Sequence, residues 1–164
     1  MVPSQLIGPV GADAKGSKPI VSLNEKPMKL SRVDPGGSPE VSRPRVLCVD
    51  DNDLILSTLK SAFKADGFEM DTAYNGFNAL GKITKQPQGF QAIMTDLRMP
   101  GVDGFALIEK SRAAGYAGPI IVYAASITGD ARQRLDELGI RHIIEKPARS
   151  SELIAAVRES LNGA

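Results

Sequence analysis

From residue 45 onwards, short apolar runs alternate with segments whose apolar residues recur at helical spacing. The first run, Val46-Leu47-Cys48-Val49, contains no charged residue, which is typical of a strand buried on both faces of a sheet. Five predicted strands, each followed by a helix, indicate an α/β domain with a parallel sheet and helices on both faces. The predicted strands are residues 46–49, 68–73, 92–95, 120–123 and 140–144.

Caps and apolar spacing predict the five helices. Asn52 or Asp53 is expected to cap the first helix, and Gly67 to end it. Asn75-Gly76 is interpreted as a turn before the second helix, and the fourth helix, 130–138, is the most polar. The predicted apolar faces consist of Leu54, Ile55, Leu59 and Phe63 in the first helix, Phe77, Leu80 and Ile83 in the second, Phe105, Leu107 and Ile108 in the third, and Leu153, Ile154, Val157 and Leu161 in the last.

Residues 1–44 differ from the rest of the chain in composition. Seven of the eleven prolines stand within residues 1–45, where none of the eight aromatic residues occurs. Such a segment buries too little apolar surface to offset the entropy lost on ordering. We therefore predict a Pro/Gly-rich disordered tail over 1–44 and a folded domain over 45–164. The tail is interpreted as a solvated leader or as the result of a misassigned start codon, with docking through its apolar residues 19–23 as the alternative.

Composition excludes several classes of function. A net charge of +1 argues against direct nucleic-acid binding, which usually requires a strong basic excess. A single cysteine, Cys48, excludes an intramolecular disulfide framework, is expected to be a buried small hydrophobe, and fits a reducing, cytoplasmic compartment. The single His142 excludes a multi-histidine metal centre. No apolar stretch approaches the roughly 20 residues of a membrane span, so we expect no membrane association.

Charged residues follow three of the predicted strands. Asp50-Asp51 follows the first strand, Asp96 the third, and Lys146-Pro147 the fifth. Ligands of such sheets bind at the carboxyl ends of the strands, so these side chains are expected to share one edge. Crowded carboxylates suit Mg²⁺ or Mn²⁺, and one of them can attack a phosphoryl group to form an aspartyl phosphate. The alternative is that Asp50-Asp51 only caps the next helix.

Three motifs stand in order at these strand ends, namely residues 46–52, 96–104 and 145–147. With them, the sequence resembles a response regulator receiver domain, the phosphorylation module of two-component signalling, over about residues 45–162. The resemblance implies a doubly wound, flavodoxin-like sheet with strand order 2-1-3-4-5. It also implies that the phosphoryl donor is a histidine kinase, a phosphotransfer protein or a small acyl phosphate.

The resemblance assigns a role to each strand-end residue. Asp96 matches the phosphoacceptor, and Lys146 matches the lysine that contacts the phosphoryl group. Asp51 matches the direct Mg²⁺ ligand, Asp50 acts largely through water, and the backbone carbonyl of Arg98 completes the metal set with Asp96. The peptide bond that follows Lys146 is expected to be cis.

The sequence departs from the family at two positions. The family has Thr or Ser at the end of the fourth strand and an aromatic residue in the fifth, where this chain has Ala124 and Ile143. We therefore expect phosphorylation with an atypical switch, with Ser126 and the Arg98 side chain as candidate modulators. Tyr123 is a candidate to fill the space of the missing aromatic. The alternative is a pseudo-receiver or phosphate sink that acts as a binding module without conventional switching.

The expected output is a contact with another protein. Only about seventeen residues follow Pro147, so we expect a stand-alone receiver. In this family the face formed by the fourth helix, fifth strand and fifth helix usually contacts the downstream target, and it can also form a homodimer. We predict a signalling module rather than an enzyme. A phosphohydrolase is disfavoured, because Arg98 stands two residues after Asp96, where that class has a second acid.

Overall fold

The computed structural model describes residues 42–163 and confirms the predicted fold. Its five strands form one parallel sheet in the order β2-β1-β3-β4-β5. The predicted tail covers residues 1–44, and 1–41 of these lie outside the described part of the chain. The elements are β1 (Arg45–Val49), α1 (Asp53–Ala65), β2 (Glu69–Ala73), α2 (Gly76–Lys85), β3 (Ala92–Thr95), α3 (Gly104–Ala113), β4 (Ile120–Ala124), α4 (Gly129–Glu137), β5 (His142–Glu145) and α5 (Ser150–Asn162).

The sheet is covered by helices on both faces. Successive side chains of β1 alternate between the two faces: Val46 and Cys48 pack with α1 and α5, whereas Leu47 and Val49 pack with α2, α3 and α4. Every residue of the central strand β3 is buried, which explains why its sequence is almost wholly apolar. No helix within residues 42–163 has the length and apolar character needed to cross a membrane.

Local side-chain chemistry sets the helix boundaries. Asn52 caps α1, because its Oδ1 accepts hydrogen bonds from the N–H groups of Leu54 and Ile55. Gly67 follows the end of α1 with a φ of +89°, a conformation that glycine adopts without strain. The interpretation of Asn75-Gly76 as a separate turn was wrong. Asn75 caps α2 by accepting from the N–H of Asn78 at 2.8 Å, and Gly76 is already helical.

Two residues assigned to apolar helix faces point outward instead. Leu54 is 74% exposed and Phe77 is 75% exposed. In α1 the buried face includes Leu56, which precedes Leu59 by three residues; Leu54 lies two residues before Leu56, so it is rotated by roughly 200° from that face. In α2 the small residue Ala79 occupies the buried position in place of Phe77.

The strand β5 begins two residues later than predicted. Gly139 takes a φ of +72°, and the N–H of Ile140 donates to the carbonyl of Leu135 at 2.9 Å. Ile140 therefore closes the end of α4, although its side chain is buried in the core as expected. Sheet pairing starts only at His142, opposite Ile121.

The start of α3 packs directly on the backbone that follows β3. The N–H of Gly104 donates to the carbonyl of Leu97 at 2.9 Å. A Cβ atom at position 104 would lie 2.2 Å from the carbonyl oxygen of Asp96 and 2.7 Å from the Cα of Leu97. Because these obstacles are backbone atoms, they cannot move without displacing the end of the strand.

We predict that Gly104→Ala lowers the free energy of unfolding by roughly 1–3 kcal/mol, the usual cost of overpacking. The matched control is Gly81→Ala on the exposed side of α2, where no heavy atom lies within 4 Å of the added Cβ. That change is expected to raise stability by about 0.5–1 kcal/mol, because glycine disfavours a helix interior. Urea denaturation of both variants measures the difference, and equal effects would contradict the packing.

Cys48 is buried, as predicted, with 2% of its surface exposed. Burial, followed by the negative charge of Asp50, raises the pKa of its thiol to about 12. The thiolate is the reactive form, so we predict that an alkylating reagent at pH 8 labels the thiol only after the protein unfolds. Mass spectrometry with and without urea checks this, and rapid labelling of the folded protein would contradict it.

Candidate functional site

The sheet topology brings the predicted strand-end residues to one edge. Asp50 follows β1 and Asp96 follows β3, and these strands are parallel neighbours. The N–H of Asp96 donates to the carbonyl of Val49 at 2.9 Å, which ties the two strand ends together. Lys146 follows β5, where its N–H donates to the carbonyl of Ala124 at 2.8 Å. The peptide bond after Lys146 is cis, as expected.

Lys146 bridges the two buried carboxylates. Its Nζ donates to Asp50 Oδ2 at 2.5 Å and to Asp96 Oδ2 at 2.7 Å. The three side chains are 14%, 3% and 10% exposed, in the order Lys146, Asp50 and Asp96. Carboxylates so deeply buried are costly unless they are paired, and this ammonium pairs with both of them.

The same contacts control the ionisation of Lys146. Burial alone would lower the pKa of its ammonium, since the charged form loses solvation. The hydrogen bonds to Asp50 and Asp96, together with their negative charges, outweigh this effect and raise the pKa above its ordinary value. Lys146 is therefore a permanent positive charge at this edge near neutral pH.

Backbone N–H groups fix the orientation of both buried carboxylates. Asp96 Oδ1 accepts from the N–H of Leu97 at 2.6 Å and from the N–H of Arg98 at 3.2 Å. Asp50 Oδ1 accepts from the N–H of Asn52 at 2.9 Å. Each carboxylate thus has one oxygen held by the backbone and the other by Lys146, which fixes the orientation of both side chains.

Asp51 completes an acidic cluster with Asp50 and Asp96. One carboxylate oxygen from each residue lies within 4.8 Å of the other two, and Asp51 is the exposed member. Three carboxylates against one ammonium leave a formal charge of two negative at this edge. An oxygen-only donor set with this charge fits a hard divalent cation such as Mg²⁺ or Mn²⁺.

The two atypical positions lie on the face of the sheet covered by α2, α3 and α4. Ala124 ends β4 and is 1% exposed, and Ile143 packs against the same core cluster. Ser126 is exposed beyond the end of β4. It lines a groove of about 520 Å³ together with Arg98, Thr128 and residues of the loop after β3.

Tyr123 does not fill the space of the missing aromatic. Its side chain packs with α1 and α5, on the opposite face of the sheet from Ala124 and Ile143. The alternation of side chains along β4 could have shown this, because Tyr123 and Ala124 are consecutive. The structure instead places the ring centroid of Tyr123 5.1 Å from the Nζ of Lys146, a contact that the sequence did not indicate.

We predict that Lys146→Met lowers the free energy of unfolding by on the order of 3 kcal/mol, because it leaves two buried carboxylates without their cation. The double variant with Asp50→Asn should recover part of this loss. The matched control is Lys82→Met, since Lys82 is 42% exposed and lies 3.7 Å from Asp71. It should cost less than about 1 kcal/mol. Thermal or urea unfolding distinguishes them, and equal losses at the two lysines would contradict the bridge.

Comparison with known proteins identifies a family for this chain. The family model described as the response regulator receiver domain matches residues 46–158. The transcriptional regulatory protein PrrA of Mycobacterium leprae is 36% identical over 121 residues, which are 74% of this chain and 51% of that protein. The sensor histidine kinase GacS of Pseudomonas protegens is 30% identical over 134 residues, which are 79% of this chain and 14% of the kinase. This chain therefore spans about half the length of PrrA.

Solved structures of receiver proteins have a similar fold. The chemotaxis protein CheY4 of Vibrio cholerae is 26% identical, with a TM-score of 0.68, over 73% of this chain and 100% of that one. A response regulator receiver protein from Pseudomonas putida is 28% identical, with a TM-score of 0.66, over 72% of this chain and 98% of that one. The acidic edge, the strand order and the match over residues 46–158 lead to one conclusion: the chain belongs to the response regulator receiver domain family of two-component signalling.

Proposed function

We propose that Asp96 accepts a phosphoryl group, in a Mg²⁺-dependent reaction, from a histidine kinase or a phosphotransfer protein. Membership of the receiver family makes the domain a phosphoacceptor module of two-component signalling. The observation that supports the particular residue is the bridge of Lys146, which joins Asp96 to the acidic cluster and supplies a cation at the reacting edge.

Four groups of this chain are proposed to hold the metal. These are the carboxylates of Asp51 and Asp96, the carboxylate of Asp50 acting largely through water, and the backbone carbonyl of Arg98. The acidic cluster supports the first three, since their oxygens lie within 4.8 Å of one another. When bound, the cation would reduce the repulsion between the attacking carboxylate and the phosphoryl oxygens.

The reaction is a displacement at phosphorus. A carboxylate oxygen of Asp96 forms a bond to phosphorus while the bond from phosphorus to the donor atom breaks. The electron pair of that bond leaves with the donor, which is an imidazole nitrogen of a phosphohistidine or a carboxylate oxygen of an acyl phosphate. Lys146 then exchanges its hydrogen bond to Asp96 for one to a phosphoryl oxygen, so the added charge is neutralised.

The proposed output is a contact with a downstream protein through the face formed by α4, β5 and α5, which also provides a route to a homodimer. Coupling to this face is atypical, because Ala124 offers no hydroxyl and Ile143 no aromatic ring to follow the phosphoryl group. Ser126 and the side chain of Arg98 are proposed modulators, and the groove that both line supports this. We place this activity in the cytoplasm, in a receiver domain over residues 45–164.

A pseudo-receiver or phosphate sink is the second candidate function. The specific observation in its favour is the absence of a hydroxyl at Ala124 from a site that is otherwise complete. In this case the domain binds its partner without conventional switching. It would have the same affinity for that partner before and after phosphorylation, or in the Asp96→Ala variant.

The test is the intact mass of the protein after incubation with acetyl phosphate, with and without Mg²⁺. We expect a gain of one phosphoryl group. The gain should require Asp96, which accepts the group, and Mg²⁺, which the other carboxylates help to hold. Asp96→Ala should show no gain. The matched control Asp136→Ala, an exposed carboxylate of α4, should be phosphorylated like the wild type.

Two results would contradict the proposal. One is the absence of any gain in the wild type, both with acetyl phosphate and with a phosphorylated histidine kinase as donor. The other is a gain of equal size in Asp96→Ala, which would place the phosphoryl group on another residue. A turnover assay on phosphate esters distinguishes this signalling function from a phosphohydrolase, for which continuous release of phosphate is expected.

A further inference from the structure

The ammonium of Lys146 has three neighbours of different chemistry. A lysine ammonium carries three N–H donors. Two of them are directed to Asp50 Oδ2 and Asp96 Oδ2. The third neighbour is the ring of Tyr123, whose centroid lies 5.1 Å from Nζ, inside the range of about 6 Å for a cation–π interaction.

The ring of Tyr123 is held in place by the sheet and the core. Tyr123 is the fourth residue of β4 and pairs with Ile144 of β5. Tyr123 is only 8% exposed. Its side chain belongs to the core cluster between the sheet and the helices α1 and α5, and this cluster includes Ile121 and Leu153. The ring therefore has a fixed position next to β5, the strand that Lys146 follows.

We propose that Tyr123 is a positioning residue for phosphoryl transfer: its ring holds the Lys146 ammonium within hydrogen-bonding distance of Asp50 and Asp96. This inference rests on the proposed function. It assigns the holding of the lysine to a residue on the α1 and α5 face, away from the two atypical positions Ala124 and Ile143.

A ring suits this task because of how it attracts a cation. Lysine ends in a point charge on a flexible four-carbon stem, which can adopt many positions unless its surroundings restrict it. The hydrogen bond to Asp96 must be exchanged for one to a phosphoryl oxygen during the reaction. The attraction of the Tyr123 ring acts over its whole face, out to about 6 Å from the centroid, so the ammonium can make this small movement while it stays near the site.

The experiment compares Tyr123→Phe with Tyr123→Leu by two measurements. The first is the NMR chemical shift of the ε-methylene protons of Lys146 in the unphosphorylated protein, which a nearby ring shifts. The second is the rate of phosphorylation at saturating acetyl phosphate and Mg²⁺. We expect the Leu variant to lose the ring-induced shift and to be phosphorylated about threefold to tenfold more slowly than the wild type. The Phe variant should keep the shift and the wild-type rate.

Two controls separate positioning from general packing. Ile121→Val shortens a fully buried side chain on the same face of β4, and it should lower stability without changing the rate or the shift. Tyr123→Met replaces the ring by a flexible, unbranched side chain that can adapt to the space, and it should lose the ring-induced shift and the same factor in rate. The Met variant therefore keeps the test available if the Leu variant fails to fold. Thermal unfolding of each variant shows that the assay reports on folded protein.

The outcomes are distinct. If the wild type is phosphorylated and the Leu and Met variants react at its rate, the positioning role is overturned while the proposed function stands. A Phe variant that is as slow as Leu would overturn the role of the ring itself. If the wild type takes up no phosphoryl group from any donor, the proposed function fails and this inference fails with it.

Discussion

The two ion pairs of Lys146 are the constraint on which the site depends. They join the ends of β1, β3 and β5, and they compensate two carboxylates that the sheet has removed from water. The parallel topology is what makes this possible, since it places three strand ends at one edge. A single ammonium thereby offsets part of the repulsion within this cluster of acids.

The surrounding backbone restricts this edge further. Gly104 lets α3 approach the carbonyl of Asp96, and the N–H groups of Leu97 and Arg98 hold one oxygen of its carboxylate. These contacts hold the Asp96 carboxylate in one orientation in the folded protein. In the proposed function, relay of the signal is the less conventional step, because Ala124 has no hydroxyl and Ile143 has no aromatic ring.

The features of the fold and site that were predictable from sequence are those that depend on local pattern. The apolar runs of β1 and β3 predict buried strands, so the edge shared by Asp50, Asp96 and Lys146 follows from topology. The predictions failed where few residues decide the outcome. Leu54 was assigned to the wrong face because the phase of α1 turns it away from the core, although it is apolar. The start of β5 was misplaced because Gly139 forms a turn before the apolar residue Ile140.

The contact between Tyr123 and Lys146 depends on the packing of β4 against β5, which no local pattern reveals.

The most direct test of the central claim is to locate the phosphoryl group. Borohydride reduces an acyl phosphate to an alcohol, so it converts a phosphorylated aspartate into homoserine that peptide sequencing by mass spectrometry can identify. After incubation with acetyl phosphate and Mg²⁺, we predict homoserine at position 96 alone. Homoserine at position 50 or 51, or at none of the three aspartates of the cluster, would contradict the account.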